Sequence, residues 1–149
     1  MRKLGITFAA FVLSSCLAQA GDLMHCFAFT PIAEATQADW DAFYKATNEW
    51  PKKNKAIKMV WAGKLARPLA QFGTSDAEAR KKVMSGEKGV SGALTVTRRE
   101  YGVCMAMEGS GEPAAILKAY SSHPYHKEWS AAYEKVRVPG TTTYDIVSK

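Results

Sequence analysis

The sequence predicts an α+β domain of ferredoxin-like type, a split βαβ arrangement in which an antiparallel sheet carries helices on one face. Three observations predict it. Apolar periodicity and chain breakers read in the order strand, helix, strand, strand, helix, strand. A length of 149 residues suits one hydrophobic core. An apolar content of 47% with 23% charged residues is that of an ordinary globular protein, and no internal repeat or low-complexity tract interrupts it.

The first twenty residues stand apart from that pattern. Arg2 and Lys3 precede the apolar run Leu4 to Leu13, and Ala18-Gln19-Ala20 offers a small-x-small cleavage site. Residues 1–20 therefore read as a signal peptide and residues 21–149 as one exported domain. Leu13-Ser14-Ser15-Cys16 at the same place also has the form of a lipobox, so a lipid anchor at Cys16 is the alternative. The apolar run is too short for a bilayer span and nothing downstream is longer, so no membrane span is expected. Removing the leader takes away two basic residues and no acidic one, which lowers the formal charge from +6 to +4.

Within the domain, Met24 to Phe29 is a compact apolar strand closed by Thr30-Pro31. Thr36 with Asp39 three residues on resembles a capping box, and Trp40, Phe43, Tyr44 and Thr47 recur at helical spacing until Trp50-Pro51 stops the pattern. Ala56 to Leu65 reads as a second strand, with Ile57, Met59 and Trp61 on one face and Lys58, Val60 and Ala62 on the other. Residues 66–100 lose periodicity among Pro68, Gly73, Gly86, Gly89 and Gly92. They read as an insertion or lid with its own elements, among them a short helix from Ser75 to Val83 capped by Ser75 and Glu78. Leu94 to Thr97 is either a short strand or an extension of the next one. Tyr101 to Met107 is a strand, ended by Gly109-Ser-Gly111-Glu-Pro113, and Pro113 suits the first turn of a helix through Ile116, Leu117 and Tyr120. Pro124 opens a further helical stretch through Trp129, Tyr133 and Val136, and Pro139-Gly140 turns the chain into a last strand, Thr141 to Val147.

Such a sheet is covered on one side only, and its other face needs a partner, because a large apolar patch rarely stays exposed on a monomer. A homodimer built sheet to sheet meets that need. Basic clusters at Lys52, Lys53, Lys55 and Lys58 and at Arg80, Lys81 and Lys82 come with no helix-turn-helix, zinc finger or aromatic-interleaved basic strand, which excludes a nucleic-acid reading. The glycines between 86 and 92 do not join a strand to a helix, so they make no phosphate loop. Cys26 and Cys104 lie in apolar strand-like runs without paired spacing, which favours buried thiols over a disulfide. An even number still permits one bridge if the two share a sheet face, and alternation sends His25 and Cys26 to opposite faces.

The stretch Tyr120-Ser-Ser-His123-Pro-Tyr-His126 places a phenol and two of the chain's three histidines within seven residues. With His25 from the first strand, two imidazoles and a phenol can hold and deprotonate a small polar group. The plain structural alternative has His123 and His126 flanking a helix and His25 in the core. A facial metal set from the three histidines is the competing chemistry. No carboxylate joins them at obvious spacing, and Pro124 disfavours a regular i, i+3 pair, so neither a metal nor another cofactor is expected. Phe27, Phe29, Trp40, Phe43, Trp61, Tyr125 and Trp129 lie on elements that line or flank such a pocket, which suits a small hydrophobic or aromatic molecule.

The chain resembles the stress-responsive dimeric α/β barrel family, on Met24-His25-Cys-Phe-Ala-Phe29, on Tyr120 with His123-Pro-Tyr-His126, and on Tyr144-Asp-Ile-Val147. The resemblance covers Met24 to Pro51 and Tyr101 to the end of the chain. It implies a ferredoxin-like homodimer with a pocket between sheet and helices. By likeness to plant polyketide cyclases of that family it implies His126 as catalytic base, Tyr120 as substrate-orienting phenol, and His25 in the pocket, with His123 and Tyr101 also counted among the binding residues. A further pocket histidine of those enzymes falls near Tyr101, where this chain departs from them. Two functions stay open: a non-catalytic binding dimer, and a cofactor-free cyclase, lyase or monooxygenase using His126 and Tyr120.

Overall fold

A computed structural model describes residues 20–148; the leader read at residues 1–20, with the alternative anchor at Cys16, falls outside them except for Ala20. The elements are β1 (Ala20–Phe29), α1 (Gln37–Lys53), β2 (Ile57–Gly73), α2 (Ala77–Met84), β3 (Thr95–Ser110), α3 (Pro113–Ser121), α4 (Pro124–Tyr133) and β4 (Thr142–Val147). The strands form one antiparallel sheet in the order β2-β3-β1-β4, as a split βαβ chain requires.

Register sorts the side chains onto two faces. Leu23, Phe27 and Phe29 of β1 and Val103, Met105 and Met107 of β3 point into the core, where α1, α3 and α4 cover them. Phe29 is fully buried against Trp40, Phe43, Tyr101 and Tyr133. The start of α1 is the expected capping box: Thr36 Oγ1 accepts the Asp39 N–H, and Asp39 Oδ2 accepts the Thr36 N–H at 3.0 Å. Its end is not where proline was expected to put it. Pro51 lies inside the last turn, where fully buried Trp50 anchors the backbone and its carbonyl accepts the Asn54 N–H at 2.8 Å.

Two further expectations change. Ile57 and Met59 do not share a face, because a bulge lies between them: Ile57 pairs with Met107 and is buried, whereas Met59 pairs with Ala106 and is exposed. Trp61 follows Met59, so it leaves the helix-covered side and cannot flank a pocket there. Residues 66–100 are a hairpin arm, in which residues 69–73 pair with residues 95–99 beyond a second irregularity after Lys64. Short α2 sits in the connection between the two strands, capped by Asp76, whose Oδ1 accepts the N–H groups of both Glu78 and Ala79, and not by Ser75.

Cys26 and Cys104 are directly opposed in register and joined as a disulfide, which corrects the expectation of free thiols. Sequence spacing does not reveal such a pair, because strand register alone makes the two residues neighbours. The bridge lies on the open face in a transverse row, Trp61–Cys104–Cys26–Tyr144. Trp61 is 52% exposed, and Met59, Tyr144 and Ile146 leave the same face comparably open. Among the described residues no helix is long and apolar enough to cross a membrane.

Candidate functional site

His123 ends the short link between α3 and α4. Its Nδ1 accepts the Tyr125 N–H at 3.2 Å and so caps α4, and Pro124 takes the first helical position. That start fixes where the next residues point. His126, half-buried, sets its ring nearly perpendicular to that of Tyr120, with centroids 4.9 Å apart. His25 arrives from β1, its ring centroid 5.5 Å from Tyr120. A strand and two helices thus bring His25, Tyr120 and His126 together.

They share a cavity of about 200 Å³ between the sheet and α4, whose other walls are Phe27, Trp129, Ser130, Tyr133, Arg137, Thr141 and Thr143. Phe27 and Trp129 meet edge to face at 5.7 Å, and the Trp129 indole is pinned where its Nε1–H donates to buried Thr47 Oγ1 at 2.9 Å. Wider hollows lie on the open face among Trp61, Leu65, Gly102 and Tyr144 and among Met24, Met59 and Ile146. They are furrows between exposed apolar side chains, and neither holds a histidine.

Burial gives the cavity its electrostatics. It lowers the affinity of His126 for a proton, and the neighbouring His25 acts in the same direction, so His126 is a neutral imidazole at pH 7. Burial, with Tyr133 nearby, pushes the Tyr120 phenol well above its ordinary range, so that it stays protonated. His25 Nδ1 lies 2.7 Å from Asp145 Oδ1, its directly opposed residue on β4. A carboxylate only accepts, so Nδ1 carries the proton and the ring is held in one orientation. His126 Nδ1 and Ser130 Oγ are within hydrogen-bonding distance at 3.3 Å. The arrangement therefore offers an uncharged base and an O–H donor beside one apolar wall.

Two predicted residues do not reach this cavity. His123 is taken up in capping α4 and in an edge-on contact with Trp50 at 5.7 Å. Tyr101 packs at a tilt against Trp40, with centroids 4.5 Å apart, and against Phe29. No residue of the arm lines the cavity either. Among the described residues no three His, Cys, Asp or Glu side chains gather as a metal set. Asp145, Ser130, Tyr133 and Arg137 were missed by sequence reasoning. For Ser130 and Tyr133 the spacing was a usable signal, since steps of four and three from His126 keep to one helical face; Arg137 lies beyond α4, in a bridge to Pro31.

No family model and no curated protein matches the chain. Solved structures do. A dimeric ferredoxin-like protein of unknown function from Thermobifida fusca superposes with a TM-score of 0.53 at 13% identity, covering 87% of this chain and 93% of that one. A hydroxynitrile lyase from Passiflora edulis gives 0.54 at 7% identity, covering 86% and 94%. A dabb family protein with a ferredoxin-like fold from Mesorhizobium loti gives 0.52 at 11% identity, covering 87% and 98%. The chain therefore has the ferredoxin-like α+β fold found in dimeric proteins of this kind, the dabb family among them.

Proposed function

We propose that this protein is an exported homodimer that binds a small hydrophobic or aromatic molecule in the cavity between β1, α3 and α4. The observation that carries the reading is the convergence of His25, Tyr120 and His126 on one cavity with Phe27 and Trp129 as its apolar wall. The exposed row through Trp61 and Tyr144 supports dimerisation through the open face, as does the dimeric state of fold neighbours. The Cys26–Cys104 bridge supports an oxidising compartment, reached either as a free exported protein or as a lipoprotein anchored at Cys16.

The test is a screen of small aromatic compounds by ligand-observed NMR, repeated on Thr143→Trp. Thr143 is exposed at the cavity mouth, so an indole there fills the cavity without disturbing the core. Binding by the wild type and its loss in the variant are expected; compounds that bind both equally sit elsewhere and sink the reading.

A second reading has its own observation. A neutral His126 beside a protonated Tyr120 is the pairing a cofactor-free lyase or cyclase needs, the imidazole taking the proton and the phenol polarising a carbonyl or supporting an alkoxide. One fold neighbour is a lyase. Under that reading His126→Ala abolishes turnover and leaves binding; under the first, no turnover is found to abolish.

A further inference from the structure

We propose that the cavity recognises an oxyanion, and that its ligand is a small aromatic carboxylate whose charged end lies against Arg137 and Tyr133. This deepens the reading of the cavity as a ligand site and rests on it.

Two buried polar atoms in the cavity wall have no hydrogen-bond partner among the described residues: the Tyr133 hydroxyl and Arg137 Nε. Tyr133 is only 6% exposed, with the Thr141 side chain beside its hydroxyl. Folded proteins leave few such groups unsatisfied, and two donors lining one cavity point to an acceptor as their natural complement. The guanidinium of Arg137 lies over the Tyr133 ring, 4.7 Å from its centroid, which holds the cation against the phenol. Its carboxylate neighbour is exposed Glu134, 3.9 Å from a terminal nitrogen, which leaves Nε unbonded.

A second cation adds to the field at this end. Arg99 is buried and donates only to neutral acceptors, Thr30 Oγ1 at 3.2 Å, Thr142 Oγ1 at 3.3 Å and Gln71 Oε1 at 2.9 Å. No carboxylate pairs with it among the described residues. Desolvation dominates at the Tyr133 hydroxyl and keeps it protonated, while the charges of Arg137 and Arg99 act the other way. Asp145, the carboxylate paired with the cavity's His25, is engaged by that imidazole. An arginine fork with a phenol O–H suits a planar carboxylate, and Phe27 with Trp129 suits the ring behind it.

The experiment titrates the purified protein with sodium benzoate and with benzamide, its neutral isostere, following the Trp129 indole signal by NMR. Benzoate is expected to bind at least about tenfold more tightly than benzamide. Arg137→Gln and Tyr133→Phe should each weaken benzoate by about that factor and benzamide, whose carbonyl accepts only without a charge, by clearly less. Tyr133→Phe removes only an unbonded hydroxyl and keeps the ring's packing, so it reports even if Arg137→Gln folds poorly. Equal affinity for the two probes, or benzoate binding indifferent to Tyr133→Phe, overturns the oxyanion proposal while leaving the cavity a ligand site. If neither probe moves the Trp129 signal at millimolar concentration, both the proposal and the ligand-site reading fall.

Discussion

Breaking the Cys26–Cys104 bridge, by reduction or by the double substitution Cys26→Ala and Cys104→Ala, should destabilise the fold without touching the cavity. The bridge joins residues 78 apart in sequence. On the chain-entropy account, closing a loop of that length restricts the unfolded chain by about 15 cal/mol/K, or about 4.5 kcal/mol at 25 °C; measured bridges more often deliver 2–4. Spread over the unfolding entropy of a domain this size, that range lowers the melting temperature by about 7–15 °C. Thermal unfolding of oxidised, reduced and doubly substituted protein measures it, with thiol counting on the unreduced sample as the control. Because Cys26 points to the open face and His25 to the helices, ligand binding should survive reduction at temperatures where the protein stays folded. A melting temperature that moves by less than about 2 °C on reduction, or two free thiols before it, refutes the reasoning.

Other consequences follow from single contacts. Trp61→Lys places a charge in the middle of the exposed apolar face; analytical ultracentrifugation should show monomers, and a dimer that survives it does not use that face. Thr47→Val keeps the shape of a fully buried residue but deprives the Trp129 Nε1–H of its acceptor. Urea unfolding should register a loss of about 1–3 kcal/mol, and no loss means that the indole finds another partner. His126 has its proton affinity lowered in the fold, so below the unfolded pKa the unfolded chain binds the proton that the folded one resists. Stability contributed by this site is therefore whole above about pH 6.5 and is lost as pH falls through the folded value. His126→Gln should flatten the decline between pH 7 and 5 relative to wild type; parallel profiles contradict it.

What the sequence determined by itself is local. Thr36 and Asp39, Pro113, and Pro124 start helices through hydrogen bonds and backbone angles confined to a few residues, so they are legible without neighbours. The strand alternation that puts His25 and Cys26 on opposite faces is legible for the same reason, and with the element order it leads to the sheet topology. The Tyr120 to His126 segment was legible as a cluster because α3 and α4 are adjacent in the chain. The tertiary structure alone decided the rest. A single bulge at Lys58 sends Met59 and Trp61 to the open face while Ile57 stays in the core, and no periodicity within β2 announces it. Strand register makes Cys26 and Cys104 opposite neighbours, and it gives His25 its Asp145. Tyr133 and Arg137 join the cavity because α4 and the turn after it pack over β1 and β4, a long-range contact whose energy depends on burial and not on spacing along the chain.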